Sequence, residues 1–261
     1  MAFETIRYEV AGDVATIRLN RPDVLNAVNA QMHSELRAAL KAAAGEDAAR
    51  ALIITGEGRG FCAGQDLSDR NPNGGEVDFA ESLDKNYNRL VRTLRSIEMP
   101  VVAAVNGVAA GAGANIALCA DFVIASRSAD FVQAFVRIGL VPDCGGTYFL
   151  PRLIGRARTA ALAMLGDKLS AETAAEWGLI WKCVDGDQVM IEAQALASHL
   201  ATQPTKALAL IRRALDASFD NSLDDQLDLE RDLQIVATRT DDFREGVEAF
   251  LEKRPAKFKG Q

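Results

Sequence analysis

The sequence is most restrictive in the residue types that it has least of. It holds two histidines, His33 and His199, and four cysteines among 261 residues. Both histidines fall in helical patterns among polar neighbours, so we expect both at the surface, and two histidines disfavour a multi-histidine metal site or a Ser-His-Asp triad. No C-x-x-C pair occurs, which speaks against a zinc ribbon or a redox-active pair. Any acid–base chemistry therefore has to come from carboxylates, backbone donors or a bound cofactor.

A basic excess and a long hydrophobic run are also lacking. The 36 acids outnumber the 29 bases and give a net charge of −7, which disfavours nucleic-acid partners because that affinity comes mainly from lysine and arginine. The first residues, MAFETIRYEV, do not resemble a signal peptide, so we expect a cytoplasmic location and no membrane partner. Asn106 and Asn115 interrupt the least polar stretch, 101–120, where we expect a buried strand and helix rather than a membrane span.

Hydrophobic periodicity predicts an α/β chain in two units. Strands and helices alternate up to about residue 200, and helices alone follow. We therefore expect an α/β core over 1–200 and a helical segment over 201–261. A polar segment with proline and glycine, 68–80, is typical of a surface loop. The predicted strands cover 6–10, 14–19, 51–55, 101–105, 121–126 and 130–135, and the predicted helices cover 29–44, 81–97, 171–177, 188–202, 205–218, 224–238 and 240–253, with two more beginning near 112 and 147.

Two segments share one plan that points to chemistry. Residues 52–67 and 101–115 each read as a buried strand, a turn rich in glycine and alanine, and a possible helix start. Helix starts leave amide N–H groups without partners, and two such ends meeting in space would form an oxyanion hole. The same glycines could instead only permit tight packing. A dinucleotide site is disfavoured because Gly111 and Gly113 lack the third glycine of G-x-G-x-x-G, and no P-loop pattern occurs.

Asp143 is the candidate for acid–base work. It stands between a proline and two glycines, among apolar neighbours that include Phe135 and Val141. Burial would raise its pKa and a following helix N-terminus would lower it. Such a carboxylate can serve as a base, although an aspartate before a helix is also a common N-cap.

These segments resemble the crotonase (enoyl-CoA hydratase/isomerase) superfamily. The resemblance rests on FCAGQDL, AVNGVAAGAGANIALCAD and IGLVPDCGGTYFLPRLIGRARTAALAMLG, and it extends to the tail EGVEAFLEKRPAKF. It implies a spiral of ββα repeats that carries the acyl-CoA site within 1–200. It also implies a C-terminal helical region, 201–261, through which family members assemble as trimers or dimers of trimers.

The resemblance also assigns roles to residues. Motif matching implies that the amides of Gln65 and Ala112 form the oxyanion hole and that Asp143 is the base. The hydratase branch uses two glutamates, which match Asn115 and Phe135 here. Since neither is acidic, the match argues against water addition.

Further residues are implied as contacts of the substrate, with coenzyme A as part of that substrate and no separate cofactor or metal. Arg21 could pair with a phosphate, although an ordinary surface arginine is the alternative. The implied substrate or CoA contacts are Asp23, Val24, Leu25, Ala63, Asp66, Leu67, Gly111, Asn115 and Phe135. Contacts from a neighbouring subunit, with a solvated tail as the alternative, would come from Phe250, Lys253 and Lys257.

The implied activity is isomerisation of an acyl-CoA thioester. The stretches LVPDCGGT, LSAETAAEWGLIW and LDLERD most resemble the branch that converts the ring 1,2-epoxide of phenylacetyl-CoA to an oxepin, and the same proton shuttle would move a Δ3 double bond to Δ2. The alternatives are a fatty-acid Δ3,Δ2-enoyl-CoA isomerase, an enoyl-CoA hydratase, and an oligomer that binds CoA esters without catalysis.

Overall fold

Two β-sheets connected by helices make up the fold, seen in a computed structural model that describes residues 3–45, 49–68 and 79–261. Most of the predicted loop 68–80 (69–78) therefore lies outside the described residues. The strands are β1 (Ile6–Ala11), β2 (Val14–Leu19), β3 (Ala51–Gly56), β4 (Gly60–Cys62), β5 (Val101–Val105), β6 (Val108–Ala110), β7 (Phe122–Ser126), β8 (Asp130–Val132), β9 (Lys168–Ser170) and β10 (Lys182–Val184). The α-helices are α1 (Ala30–Ala43), α2 (Phe79–Ser82), α3 (Arg89–Ser96), α4 (Ala112–Leu118), α5 (Gly146–Leu165, interrupted at Gly155), α6 (Ala171–Glu176), α7 (Val189–Ala201), α8 (Thr205–Ala217), α9 (Leu223–Ala237) and α10 (Asp241–Glu252).

From β3 to β8 the strands alternate between the two sheets, which gives the chain its spiral course. The larger sheet has the order β1-β2-β3-β5-β7-β10 and the smaller one β4-β6-β8-β9. In the pairs β3–β4, β5–β6 and β7–β8, the first strand joins the larger sheet and the second joins the smaller one. Neighbouring turns of the spiral pair in parallel. The predicted α/β class with ββα repeats is confirmed.

The apolar strand sequences follow from burial on both faces of the larger sheet. All five residues of β5, VVAAV, are buried, as expected for a parallel strand that is covered on both sides. Helix α7 covers one face with Val189, Ala193 and Ala197, which recur every fourth residue. The main core fills the other face, where α1, α3 and α4 pack.

Most predicted elements agree with the structure within a residue or two, and 101–120 forms β5, β6 and α4 as expected. Two predictions were wrong. The strand predicted over 130–135 ends at Val132, whose carbonyl accepts a hydrogen bond from the amide of Gly111. The chain then turns into a 3₁₀ helix, Ala134–Ile138. His33 is buried, with 3% of its surface exposed, because α1 is covered on a second side by Tyr87. His199 is exposed as predicted.

A buried cation, Arg212, joins the C-terminal helices to the core. Arg212 of α8 binds both carboxylate oxygens of Asp121 (2.7 and 2.6 Å) and the backbone carbonyls of Ile97 and Met99. The predicted division at residue 200 falls in the last turn of α7, shortly before α8, and stays a prediction. Among the described helices, none is long and apolar enough to cross a membrane.

Candidate active site

Two glycine-rich turns meet where β4 and β6 end. A β-carbon on Gly113 would lie 2.2 Å from the carbonyl oxygen of Cys62, and one on Gly64 would lie 2.8 Å from the carbonyl oxygen of Ala110. No other residue type fits this distance, since any β-carbon would displace the facing backbone. The two turns can therefore pack this closely only because both positions are glycine.

The amides of Gln65 and Ala112 are brought together by this contact. The Cβ position of Gly64 lies 3.2 Å from the nitrogen of Ala112, so the residue before Gln65 touches the start of α4. Val28 bonds to the carbonyl of Gly64 and the amide of Asp66 (2.7 and 3.0 Å), which leaves the amide of Gln65 facing away from Val28. Ala112 is the first residue of α4, so its amide has no acceptor within the helix.

Gly111 directs the amide of Ala112. Its φ of 53° and ψ of −128° lie in a region that is open to glycine and strained for other residues. The aromatic ring of Phe135 lies 3.8 Å from the Cβ position of Gly111 and covers this turn. Phe135 is itself buried, so the wall beside the Ala112 amide is apolar.

Asp143 lies beside the first turn of α4. Its backbone carbonyl accepts hydrogen bonds from Asn115 Nδ2 (2.8 Å) and from the amide of Gly146 (2.9 Å). Asn115 is fully buried, and its Oδ1 accepts a hydrogen bond from Gln133 Nε2 (2.9 Å). Both ends of the Asn115 amide are thus hydrogen-bonded, one of them to the loop that carries Asp143.

The side chain of Asp143 does not cap the helix that follows. The N-cap of α5 is Gly145, with no side-chain hydrogen bond, so the N-cap alternative is wrong. Asp143 is half-buried, and its Oδ1 is inaccessible to solvent. The Cys144 thiol beside it is buried. Burial is the main reason why the pKa of that thiol is raised, and the charge of the Asp143 carboxylate raises it further. Of the apolar neighbours noted in the sequence, Phe135 is buried but Val141 is 79% exposed.

The first half of the predicted CoA-binding set lies along one edge of the site. The amide of Ala63 donates to the carbonyl of Leu25 (2.9 Å), which joins the two segments. Asp23, Val24 and Leu67 are exposed on these segments.

Arg21 and Asp66 form an ion pair beneath that edge. Arg21 Nη1 donates to Asp66 Oδ2 (2.8 Å) and to the carbonyl of Ala27 (2.6 Å). The Ser68 hydroxyl donates to Asp66 Oδ1. The hydrogen bond from Ser68 lowers the pKa of Asp66 more than burial raises it, and Arg21 lowers this pKa further. Arg21 and Asp66 thus bind each other and fix the backbone on the C-terminal side of Gln65.

Sequence reasoning missed the partners of the Gln65 side chain. The hydroxyl of Tyr87 donates to Gln65 Oε1 (2.7 Å), and Gln65 Nε2 donates to the carbonyl of Asp66 (3.1 Å). Tyr87 is fully buried, and His33 packs edge-on against its ring with centroids 4.3 Å apart. Burial first, and the charge of Arg37 second, lower the pKa of His33 to about 4, so His33 is neutral at pH 7.

The three residues expected near a neighbouring subunit lie on α10 and the tail. Phe250 is 82% exposed, Lys253 ends α10, and the amide of Lys257 donates to Glu245. The contacts of the described residues do not connect them to the other predicted site residues.

Known proteins resemble this chain along its whole length. The family model for enoyl-CoA hydratase/isomerase matches residues 9–261. The 1,2-epoxyphenylacetyl-CoA isomerase of Escherichia coli K12 is 55% identical over 260 residues, 99% of each chain. The "Probable enoyl-CoA hydratase" of Rhodobacter capsulatus is 50% identical over 100% of each chain. A crystal structure of enoyl-CoA hydratase from Bacillus anthracis superimposes with a TM-score of 0.89 and 32% identity, covering 99% of this chain and 100% of that one.

The structural match confirms the expected fold, and the family match spans the segments that contain Gln65, Ala112 and Asp143. The chain therefore belongs to the enoyl-CoA hydratase/isomerase family, the crotonase superfamily of enzymes.

Proposed function

We propose that the chain isomerises acyl-CoA thioesters. In this proposal the amides of Gln65 and Ala112 bind the thioester oxygen, and Asp143 moves a proton at the carbon next to the thioester. The contact between the two glycine turns and the position of the Asp143 loop beside α4 support this arrangement. No metal and no separate cofactor takes part, since coenzyme A is carried by the substrate.

The environment of Asn115 is the observation that carries isomerisation over hydration. The hydratase branch has glutamates at the positions that match Asn115 and Phe135. Here the side-chain amide of Asn115 is hydrogen-bonded to the Asp143 carbonyl and to Gln133, and Phe135 is a buried apolar side chain. Neither side chain supplies a carboxylate to orient and activate water, so Asp143 is left as the acid–base group.

The chemistry follows from charge development on the thioester oxygen. Asp143 takes the proton from the carbon next to the thioester, and the electron pair moves onto the carbonyl oxygen. The two amides bind the resulting enolate more tightly than the neutral thioester, which lowers the barrier. Loss of one oxyanion donor typically costs about 3–4 kcal/mol of barrier. Return of the proton to a different carbon completes the shift of a Δ3 double bond to Δ2.

The ring 1,2-epoxide of phenylacetyl-CoA is the substrate that we propose first. Loss of the proton beside the thioester, cleavage of the ring C–C bond that the epoxide oxygen bridges and return of the proton to a ring carbon would yield an oxepin, with no atoms gained or lost. The relative from Escherichia coli is named for action on this type of thioester. A Δ3,Δ2-enoyl-CoA isomerase is the second candidate, because one further relative, 36% identical, is named trans-2-decenoyl-[acyl-carrier-protein] isomerase.

We place the substrate's CoA portion along the edge formed by Leu25 and Ala63, with Asp23, Val24 and Leu67 beside it. The hydrogen bond between these two segments supports a preformed edge. Gly111 and Phe135 would line the acyl side.

We also propose that the chain forms a homotrimer, or a dimer of trimers, in the cytoplasm. Exposed apolar side chains on the C-terminal helices, Leu223, Leu227 and Phe250 among them, support burial in an assembly. Phe250, Lys253 and Lys257 would then border a site of a neighbouring subunit.

Incubation with three thioesters separates the candidates. Crotonyl-CoA tests hydration, a Δ3-enoyl-CoA tests double-bond migration, and the epoxide of phenylacetyl-CoA tests oxepin formation, with products identified by mass spectrometry and absorbance. We expect turnover of the epoxide and of the Δ3 thioester, and little hydration. Fast hydration of crotonyl-CoA alone would contradict the proposal, and binding without any turnover would favour an inactive CoA-ester-binding oligomer.

A further inference from the structure

The side chain of Gln65 is fixed at both ends, although the proposed function uses only its backbone amide. Tyr87 donates to Oε1 and the carbonyl of Asp66 accepts from Nε2. This carbonyl belongs to the residue directly after Gln65, so the side chain ties a buried phenol to the backbone that follows the proposed donor.

The backbone around Gln65 is also held on the side that faces Val28, and the Arg21–Asp66 ion pair holds the residue after it. Val28 accepts from Asp66 and donates to the carbonyl of Gly64, and Gly64 has a φ of 89°. These bonds fix the direction of the strand but leave rotation about it open. The bond from Tyr87 acts on the side chain of Gln65 and restricts that rotation.

Tyr87 is itself held rigidly. It lies in a π-helical stretch, Leu83–Asn88, between α2 and α3. Such stretches occur frequently at functional sites. Its ring is fully buried and packs edge-on against His33 at an interplanar angle of 90°. The phenol therefore reaches Gln65 from a fixed direction.

We propose that Tyr87 is a positioning residue that aims the backbone amide of Gln65 at the thioester oxygen. The inference rests on the proposed function, because it needs Gln65 as an oxyanion donor. In this role Tyr87 acts through the Gln65 side chain rather than directly on the reacting atoms. Removing its hydroxyl leaves the donor present but less well directed.

A double-mutant cycle tests this chain of contacts. The variants are Tyr87→Phe, Gln65→Ala, which keeps the backbone amide, and the double variant. Because one positioning hydrogen bond is lost, we expect kcat to fall about tenfold, while KM stays within about twofold. The double variant should lose no more than either single variant. Tyr8→Phe is the control, because Tyr8 lies on the edge strand β1, and it should leave kcat unchanged.

Infrared difference spectroscopy supplies a readout that a purely structural role would not move. Phenylacetyl-CoA labelled with ¹³C at the thioester carbonyl should show a shift of its C=O stretch to lower wavenumber on binding to the wild type. The shift should be smaller in Tyr87→Phe and in Gln65→Ala. If Tyr87→Phe does not fold, Gln65→Ala carries the same test.

The outcomes separate the inference from the proposed function. A wild type that turns over none of the thioesters and leaves the bound carbonyl stretch unshifted would overturn both. A wild type with full activity and a full carbonyl shift, both unchanged in Tyr87→Phe, would overturn only the role of Tyr87. Losses that add in the double variant would also overturn it, because Tyr87 would then act by another route.

Discussion

The contact between Gly113 and Cys62 offers the sharpest test of how the site is built. An alanine at position 113 would place its β-carbon 2.2 Å from the Cys62 carbonyl oxygen and 2.7 Å from the Cys62 β-carbon. Ordinary carbon contacts need about 3.5 Å, so the two turns would have to separate by about 1 Å. A misplacement of about 1 Å can cost roughly 10²-fold in rate, and overpacking of this kind costs about 1–3 kcal/mol of stability.

Activity and stability are measured on the same protein. We expect Gly113→Ala to lower kcat for a Δ3-enoyl-CoA by about 10²-fold, followed by the absorbance of the conjugated product. Urea unfolding should show a lower free energy of unfolding. The matched control is Gly246→Ala in α10, whose β-carbon would lie 3.4 Å from Phe258. Here helix propensity predicts a gain of about 0.5–1 kcal/mol and unchanged kcat. Wild-type kcat and stability in Gly113→Ala would refute the reasoning.

Three further predictions concern buried charges and hydrogen bonds. Arg212→Ala should lower the free energy of unfolding by about 3–5 kcal/mol, because it leaves Asp121 partly buried without its bidentate partner. Burial alone would raise the pKa of Glu35, but hydrogen bonds from Thr5 and its neighbours hold that pKa at about 2. Glu35→Gln should therefore lower the free energy of unfolding by about 3 kcal/mol at pH 7, and this loss should shrink as pH falls from 5 towards 2. His33 has a folded pKa of about 4, below its unfolded value near 6.5, so stability should fall as pH drops from 6.5 to 4, and His33→Phe should remove that fall.

Each of these three predictions can be contradicted by a specific result. The control for Arg212 is Arg244→Ala, which breaks an exposed pair on α10 and should cost less than about 1 kcal/mol. Equal losses for the two arginines would contradict the buried network. Urea titrations at several pH values test the other two variants. A Glu35→Gln deficit independent of pH, or a His33→Phe variant with wild-type pH dependence, would show that those groups do not titrate as inferred.

The sequence was informative where the pattern is local. Alternation in 6–19 predicted the hairpin, and the small residues after β3 and β5 predicted two close turns. Those turns depend on the presence or absence of a β-carbon, which a sequence shows directly.

Features that depend on distant segments could not be predicted. His33 looked like a surface residue because its burial depends on Tyr87, which lies 54 positions away in the chain. Tyr87, Leu90 and Leu94 recur at helical spacing and are all buried. That spacing signalled a buried tyrosine, which needs a hydrogen-bond partner. Nothing local identified Gln65 as the partner.

The hydrogen-bond partners of Asn115 could not be predicted for a similar reason. Motif matching placed it among substrate contacts, whereas its side chain bonds Gln133 and the carbonyl of Asp143. Gln133 follows β8 and meets Asn115 because β8 pairs with β6, the strand that leads into α4. Polar residues between buried ones are the available signal, but their partners are set by topology.

Asp143→Asn tests the central claim most directly. The substitution keeps the size of the side chain and the backbone carbonyl that Asn115 binds, but it removes the group that accepts a proton. Turnover of the Δ3 thioester and of the epoxide, and the Kd of a saturated acyl-CoA measured by calorimetry, are determined on the same variant. The account predicts a loss of about 10²–10⁴-fold in turnover with Kd nearly unchanged. Turnover near the wild-type rate would contradict it.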